Sequence, residues 1–253
     1  ATKHILLKDT RMKISGYFQA IFLASTILIL GAIPISRNMK TRVGDIEVGD
    51  PHFKKKAVQL GSVSDEEQNL IVLMHKSYRA QVQSTNMMNL QYHAGIAEKA
   101  QALADTCVFA HDTANNRSVA ELPSVYVGQN LCMGQSSWAD CINDWANEKN
   151  NFAYGIGSTN GGVIGHYTQM MLWKTMAIGC GFNTCDGSPL YVCNYAYGQY
   201  SSDMNSPWKS GIQCADCPNT CTVDGFCDCG GRFCNIAYKV MAPTCECMNW
   251  WTI

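Results

Sequence analysis

The stretch "GGVIGHYTQMMLWKT", residues 161–175, places four polar-capable side chains between two apolar runs. Buried polar groups need hydrogen-bond partners, so His166 and its neighbours must either meet such partners or face solvent. The apolar residues on both sides favour a strand, which we predict over residues 164–171. Three interpretations of His166 are open at this point: a buried structural histidine, a metal ligand and a catalytic base.

Helices and further strands are predicted around this stretch. Ser64 and Glu67 form a capping box that opens a first helix. A second helix is predicted over residues 94–109, a third over 136–152 with Ser137 as its cap, and strands over 177–182 and 190–195. Helices combined with a small sheet predict an α+β layered domain. The residues that the helices are expected to bury are Leu70, Ile71, Met74, Tyr78, Ile96, Ala100, Leu103, Cys107, Trp138, Ile142 and Trp145.

The first 36 residues have the character of a leader. Residues 1–11 show no periodicity and are expected to lie upstream of the true start. From Met12, a basic residue precedes an apolar run over residues 14–34 and a small, polar exit, which is the layout of a signal peptide. A signal anchor is the alternative, but the run is short for a membrane span and no other long apolar run follows. We therefore expect no transmembrane span in the mature chain.

Residues 37–63 are polar and punctuated by glycine, and we interpret them as a propeptide or linker. The run from Lys54 to Lys56 fits a processing site or a solvated charge cluster. Residues 1–56 contain ten Lys/Arg against four Asp/Glu, and the rest of the chain contains nine against sixteen. An acidic mature chain argues against nucleic acid as its main partner.

All fourteen cysteines lie between Cys107 and Cys247. An even number behind a signal peptide predicts seven disulfides and an extracellular location. The alternative is zinc, because Cys214 and Cys217 have the spacing of a zinc ribbon. Residues 64–200 hold six cysteines, and residues 214–253 hold eight among few aliphatic residues, so that this second segment must be stabilised by disulfides. Residues 201–213 between them are predicted to form a polar linker.

Six blocks of the chain match one family in the same order. They are "HKSYR" at 75–79, "GQNL" at 128–131, "DWANE" at 144–148, "FAYGIG" at 152–157, "GHYTQMM" at 165–171 and "YVCNY" at 191–195. With the cysteine-rich tail, the chain resembles a cysteine-rich secretory protein of the CAP superfamily over residues 64–227. The resemblance implies a three-layer α-β-α sandwich in residues 64–200, followed by a small disulfide-rich hinge and a shortened module in residues 214–253.

The family's sandwich has a cleft lined by two histidines and two glutamates. The resemblance places His111, Gln129, Glu148 and His166 in the cleft of this chain, with Gln129 where relatives usually have glutamate. Two neutral imidazoles and a carboxylate can hold Zn²⁺. We predict a weak divalent cation site, zinc in the first instance, formed by His111, His166 and Glu148, with Gln129 beside them.

Two other interpretations of the cleft are open. One is a hydrolytic site in which the Glu148–His166 pair activates water or the hydroxyl of Thr168, two residues along the predicted strand. The other is a purely structural hydrogen-bonded network. The sequence contains neither a GxSxG elbow nor an HExxH helix, so we expect no enzymatic activity.

The resemblance also implies disulfide pairs for the sandwich and the hinge. A further bridge of the family would join positions 127 and 196, which hold Val127 and Ala196 here. Cys132 and Cys141 have no counterpart in the family, are nine residues apart and are predicted to pair with each other. The tail module resembles potassium-channel toxins of sea anemones, with four cysteines in place of six. The expected pairs are Cys107–Cys185, Cys180–Cys193, Cys132–Cys141, Cys214–Cys221, Cys217–Cys227, Cys229–Cys247 and Cys234–Cys245.

The resemblance implies a secreted protein of venom or glandular type. We predict a monomer that binds a membrane protein such as an ion channel, with the adjacent Trp250 and Trp251 as contact residues. These tryptophans could instead insert into a membrane interface or fold back on the tail. The alternatives are a sterol or lipid carrier, as some CAP proteins are, and a secreted peptidase. Asn116 begins an N-glycosylation sequon, which suits a secreted protein.

Overall fold

The computed structural model describes residues 62–122 and 125–230, all of which fall within one compact unit, Lys55–Ile253. The predicted signal peptide and propeptide, the Trp250–Trp251 pair, and the pairs that involve Cys234, Cys245 and Cys247 lie outside the described residues. No helix in the described part of the chain is long and apolar enough to cross a bilayer.

Five helices and six strands form the described fold. The helices are α1 (Asp65–Arg79), α2 (Ala94–Ala104), α3 (Ala114–Arg117), α4 (Trp138–Asn147) and α5 (Gly165–Met170). The strands are β1 (Gln91–Tyr92), β2 (Val127–Met133), β3 (Phe152–Ala153), β4 (Gly157–Ser158), β5 (Ala177–Cys185) and β6 (Ser188–Ala196). Short 3-10 turns cover Glu148–Asn151 and Ser201–Asp203.

One four-stranded sheet, in the order β1-β5-β6-β2, lies at the centre of the molecule. Its two faces bury different helices, because side chains alternate along each strand. Leu131 and Val192 pack with Leu103 of α2 on one face. The other face holds Cys193 and Tyr195 against residues of α1, α4 and α5. These three layers confirm the α-β-α sandwich expected from the sequence.

Helices α1 and α4 begin at the caps predicted from the sequence. Ser64 accepts from the amide of Glu67 and the Glu67 carboxylate accepts from the amide of Ser64, which confirms the capping box. Ser137 caps α4 by accepting from the amide of Asp140. Most of the predicted core residues are buried, including the two tryptophans and Ile142 of α4.

Several predicted boundaries are wrong. The predicted strand over residues 164–171 is helix α5. The second helix ends at Ala104, and Cys107 is exposed in the following loop with a left-handed φ of 57°. The third helix ends at Asn147 and gives way to a 3-10 turn. Leu70 is 39 % exposed, because the face of α1 that meets the core is centred on Ile71 instead.

Five disulfides join described residues, and all of them are pairs expected from the sequence. Three lie in the sandwich, where they fasten the loop after α2 to β5, β2 to α4, and β5 to β6. Two lie in the hinge within fourteen residues of chain. They are Cys107–Cys185, Cys132–Cys141, Cys180–Cys193, Cys214–Cys221 and Cys217–Cys227.

The hinge is fixed to the sandwich along the loop between α1 and β1. The amide of Cys227 donates to the carbonyl of Met87 at 2.8 Å, and the amide of Asn89 donates to the carbonyl of Cys227 at 2.7 Å. Phe226 is buried beside them. The segment predicted as a linker, residues 201–213, is anchored as well, since the carbonyl of Pro207 accepts from the amide of Trp173 at 2.7 Å.

Helix α1 buries two polar side chains, His75 and Arg79, which are one turn apart. His75 is fully buried, with Nδ1 2.8 Å from the carbonyl of Ile71 and Nε2 3.0 Å from the hydroxyl of Tyr195. Burial lowers the pKa of His75 from 6.5 to about 4. His75 is therefore neutral in the folded protein at neutral pH.

We expect the free energy of unfolding to fall by about 3 kcal/mol between pH 7 and pH 4 on account of His75. The unfolded chain takes up a proton on this residue near pH 6.5, whereas the folded chain resists protonation down to about pH 4. Stability present above pH 6.5 is therefore lost as the pH falls, and the loss is complete below pH 4. Denaturant unfolding at several pH values will measure it. A His75→Gln variant should show a flatter profile over this window, and equal slopes in both proteins would refute the assignment.

Candidate functional site

The four cleft residues predicted from the sequence lie around β2, which forms one edge of the sheet. Successive residues of β2 point to opposite faces. The Gln129 side chain meets His111, whereas Asn130 donates from Nδ2 to the carbonyl of His166 at 3.1 Å. The two histidines therefore approach the same edge strand from different sides.

His111 and Gln129 form one half of the site. The Nδ1 of His111 lies 2.9 Å from the side-chain oxygen of Gln129. The side-chain nitrogen of Gln129 donates to Asp112 at 3.2 Å and to the oxygen of Asn194 at 2.9 Å. Because a carboxylate can only accept, Asp112 fixes the orientation of the amide. His111 then holds its proton on Nδ1 and keeps the lone pair of Nε2 available.

Asp112 and Arg117 neutralise each other beside this half of the site. Their side chains are largely buried, and Arg117 Nη1 lies 3.0 Å from the Asp112 carboxylate. Arg117 also donates from Nε to the carbonyl of Val127 at 2.9 Å. Asp112, Arg117 and the neutral Gln129 therefore add no net charge to the His111 half of the site. No role in the site was predicted from the sequence for Asp112, Arg117 or Asn194, although Asn194 lies in the "YVCNY" block.

Glu148 and His166 form the other half. The 3-10 turn after α4 places the Glu148 carboxylate at the first turn of α5, where one oxygen accepts from the amides of His166 and Tyr167 at 2.9 and 3.1 Å. The other oxygen lies 2.6 Å from Nδ1 of His166. An anion at a helix N-terminus stabilises the helix, which explains why residues 165–170 form a helix rather than the predicted strand.

The exposed nitrogen of His166 is Nε2, because Nδ1 faces a carboxylate that accepts its proton. His166 is 30 % exposed and Glu148 is 14 % exposed, so the ring is open to solvent while its partner is largely covered. The ring of Trp145 lies nearly parallel to the imidazole, with the centroids 6.2 Å apart. His166 is thus held in one orientation with one nitrogen free to bind.

Helix α5 is held at both ends by residues of other layers. At its start, Asn130 binds the His166 carbonyl and also donates to the hydroxyl of Tyr195, which in turn meets His75. At its end, Arg79 donates to the carbonyls of Met170 and Leu172 at 2.9 and 2.8 Å. His75 and Arg79 of α1 therefore help to position the helix that contains His166.

Thr168 does not share a face with His166, contrary to the expectation drawn from a strand. In a helix, residues two apart point in different directions. The hydroxyl of Thr168 lies 3.0 Å from the carbonyl of Ile164 and 2.8 Å from the side-chain oxygen of Gln199. It is therefore engaged with other acceptors and is not placed as a nucleophile for His166.

Two groups of potential metal ligands were predicted from the sequence, one of cysteines and one in the cleft. In residues 62–122 and 125–230, the one set of three or more potential ligands with atoms within 4.8 Å of one another is Cys214, Cys217 and Cys227. Their sulfurs are in disulfides, so the zinc-ribbon alternative loses its thiolates. His111, Glu148 and His166 do not form such a set, and both Glu148 oxygens are engaged by α5. Glu148 therefore orients His166 and has no oxygen left over for a metal.

Asn116, the predicted glycosylation site, lies exposed in α3, a few residues after His111. Thr113 caps this short helix by accepting from the Asn116 amide. The side chain is therefore accessible on the surface near the His111 half of the site.

Comparison with known proteins agrees with this geometry. The model of the cysteine-rich secretory protein family, CAP, matches residues 72–195. Allurin of Xenopus tropicalis is 34 % identical over 164 residues, which cover 62 % of this chain and 80 % of that protein. Cysteine-rich secretory protein 3 of Equus caballus is 34 % identical over 188 residues, covering 70 % and 74 %. The structure of venom allergen-like protein 4 of Schistosoma mansoni superimposes with a TM-score of 0.52 at 27 % identity, covering 58 % of this chain and 97 % of that one.

Proposed function

Because the chain belongs to the cysteine-rich secretory protein family, we propose that it is secreted and acts by binding, with the hinge and tail as the surface that meets its partner. The five disulfides among described residues suit an oxidising, extracellular compartment. The partner we propose is a membrane protein such as an ion channel.

The observation that supports this proposal is the rigidity of the hinge. Two disulfides and a ladder of main-chain hydrogen bonds fasten it to the sandwich. Ile212, near the end of the linker, and Val223, in the hinge, have the two most exposed large hydrophobic side chains among the described residues. A side chain displayed on a rigid loop loses little conformational entropy on binding. The hinge is therefore suited to present apolar contacts to a protein surface.

Current recordings from a panel of ion channels test this function. The oxidised full chain should alter at least one current. An Ile212→Ser/Val223→Ser variant and a Trp250→Ser/Trp251→Ser variant should each need at least tenfold more protein for the same effect. Leu73→Ser, which changes another exposed aliphatic residue, on α1, serves as the matched control. The proposal fails if no channel responds, or if all variants act with the potency of the unchanged chain.

A second proposal concerns the cleft, where both histidines offer Nε2 while Nδ1 is engaged. Imidazole nitrogens are common ligands of a divalent cation such as Zn²⁺, with water completing the coordination. A bound Zn²⁺ would supply positive charge and a Lewis acid at this edge of the sheet. With Gln129 neutral, we expect weak binding, in the micromolar range or weaker. Calorimetric titration of the full chain should show one site that is lost in His111→Ala and in His166→Ala; retention of that site in both variants would exclude the cleft.

Glu148→Gln should abolish this site through the tautomer of His166. The amide keeps an oxygen for the main-chain amides of α5 but turns an NH₂ group towards Nδ1. His166 must then accept at Nδ1, which places its proton on Nε2 and removes the free lone pair. We also expect the variant to be destabilised by about 1–2 kcal/mol through loss of the charge at the helix start. Long-range ¹⁵N spectra of the imidazole will report the tautomer, with Glu98→Gln as control. An unchanged tautomer would contradict the argument.

A further inference from the structure

The main-chain N–H and C=O groups of each β2 residue point either towards β6 or outward from the edge of the sheet. In antiparallel pairs, residues alternate between those that exchange hydrogen bonds with the partner strand and those that turn their main chain away. The amide of Gly134 donates to the carbonyl of Pro189 at 2.8 Å, next to the Met133–Leu190 pair of the ladder. Even-numbered residues of β2 therefore bond to β6. Val127, Gln129 and Leu131 turn their N–H and C=O groups outward.

Two of these three outward carbonyls are occupied by side chains. Arg117 donates from Nε to the carbonyl of Val127 at 2.9 Å. Trp145 donates from Nε1 to the carbonyl of Leu131 at 3.0 Å. Between them, the N–H and C=O of Gln129 have no hydrogen-bond partner among the described residues, and Gln129 itself is only partly buried. Unpaired strand edges are templates for another strand, and here one unpaired residue remains.

The dimensions of this opening limit what can enter. Four steps of about 3.4 Å each lead along the strand from Val127 to Leu131, so the opening measures about 14 Å. Arg117 closes one end and Trp145 the other. A long added strand would need the two occupied carbonyls as well, whereas one extended residue with its flanking peptide bonds fits between them.

We propose that the main chain of Gln129 binds one residue of an extended peptide segment from a partner protein, through the paired N–H···O bonds of an antiparallel bridge. One donor and one acceptor on the same residue are complementary to the donor and acceptor of another main-chain residue. The contact is open to different sequences because the main chain supplies it. His111 and His166 lie on either side of the strand, where they meet the side chains of the bound segment.

The peptide bridge does not depend on the hinge proposal. It uses main-chain hydrogen bonds at the edge of β2, whereas the hinge proposal concerns apolar side chains of the linker and hinge. Two net hydrogen bonds of about 1 kcal/mol each make weak binding, so the bridge serves as one element of a larger interface. A short loop or a chain end of the partner satisfies the length limit set by Arg117 and Trp145.

Nuclear magnetic resonance of the ¹⁵N-labelled, oxidised full chain tests the proposal. The probe is a mixture of blocked tetrapeptides of random sequence, added to 10 mM. We expect a shift of the Gln129 amide signal that grows with peptide concentration and exceeds that of the other β2 amides, with slower hydrogen exchange of that proton. Peptides of the same composition with N-methylated central residues cannot donate and should bind about fivefold more weakly. No response of Gln129 at 10 mM, or equal binding of the N-methylated peptides, would overturn the inference.

A pair of variants isolates the donor on the protein side. Gln129→Pro removes the outward N–H, and proline is tolerated on an edge strand where that group faces away from the ladder. Gln129→Ala removes the side chain but retains the N–H. Binding is followed at the amides of Asn130 and Leu131, and the alanine variant should bind the tetrapeptides about fivefold more tightly than the proline variant. Equal affinities would overturn the proposal; should the proline variant fail to fold, the N-methylated peptides decide the question.

Discussion

Replacing Gly179 with alanine is expected to destabilise the fold by about 4 kcal/mol, because α2 lies directly on the main chain of β5 at this point. A Cβ atom on Gly179 would stand 2.1 Å from the amide nitrogen of Ala97 and 2.6 Å from the carbonyl carbon of Ile96. Both atoms belong to the helix backbone, so no side-chain rotation relieves the overlap. The helix must move away from the sheet, and the apolar contacts between them loosen.

The same argument applies two residues along the strand, on the same face. A Cβ on Gly181 would lie 2.3 Å from the amide nitrogen of Gln101. Gly165→Ala provides the matched control, since its Cβ would meet nothing closer than Gln199 at 4.0 Å and it lies in a helix. Denaturant unfolding of the three variants should separate the first two from the third by several kcal/mol. Comparable stability of all three would contradict the close approach of α2 and β5.

These glycines show where sequence patterns reach their limit. A glycine within a strand indicates either weakness or close approach of another backbone, and only the path of α2 decides between them. The helix starts at Ser64 and Ser137 were predictable because their caps act within three residues. Helix α5 was not, because the group that stabilises its first turn is Glu148, which lies on another element eighteen residues earlier.

The candidate site, too, could be predicted from the sequence only in part. His111, Gln129, Glu148 and His166 were available from the family resemblance, and the structure arranges them as two hydrogen-bonded pairs. The hydrogen-bond partners of Gln129 and the outward direction of its main chain depend on the register of β2 against β6. Register is a property of the assembled sheet, and the polar "GQNL" block lacked the alternation that signals a strand. The strand, and with it the open edge, could therefore be found only in the structure.

Arg79 of α1 is 1 % exposed in the core. Among the described residues, no carboxylate accepts a hydrogen bond from Arg79, and its Nε has no partner. The two terminal nitrogens, Nη1 and Nη2, donate to main-chain carbonyls instead. Burial lowers its pKa to about 9, so that it remains charged at neutral pH. The five carbonyl acceptors, at 2.8–3.4 Å, belong to Met88, Met170, Leu172, Trp173 and Thr175.

Arg79→Met is therefore expected to destabilise the protein by about 4 kcal/mol, although methionine fills much of the same space. The variant removes every donor and leaves several buried carbonyls without a partner, each at a cost of about 1–3 kcal/mol before relaxation. The stability of Arg79→Lys should lie between that of the unchanged chain and that of Arg79→Met, because an ammonium has three donors but not the planar arrangement of a guanidinium. Denaturant unfolding will rank the three proteins.

A second readout distinguishes this role from simple packing. Arg79 binds the carbonyls of Met170 and Leu172, so its loss frees the end of α5, while Glu148 still holds the start. We expect faster hydrogen exchange in α5 than in α4 for Arg79→Met, and a broadened His166 imidazole signal, because the histidine belongs to the released helix. A variant within 1 kcal/mol of the unchanged chain, or one in which α4 and α5 loosen equally, would show that the guanidinium is not what positions His166.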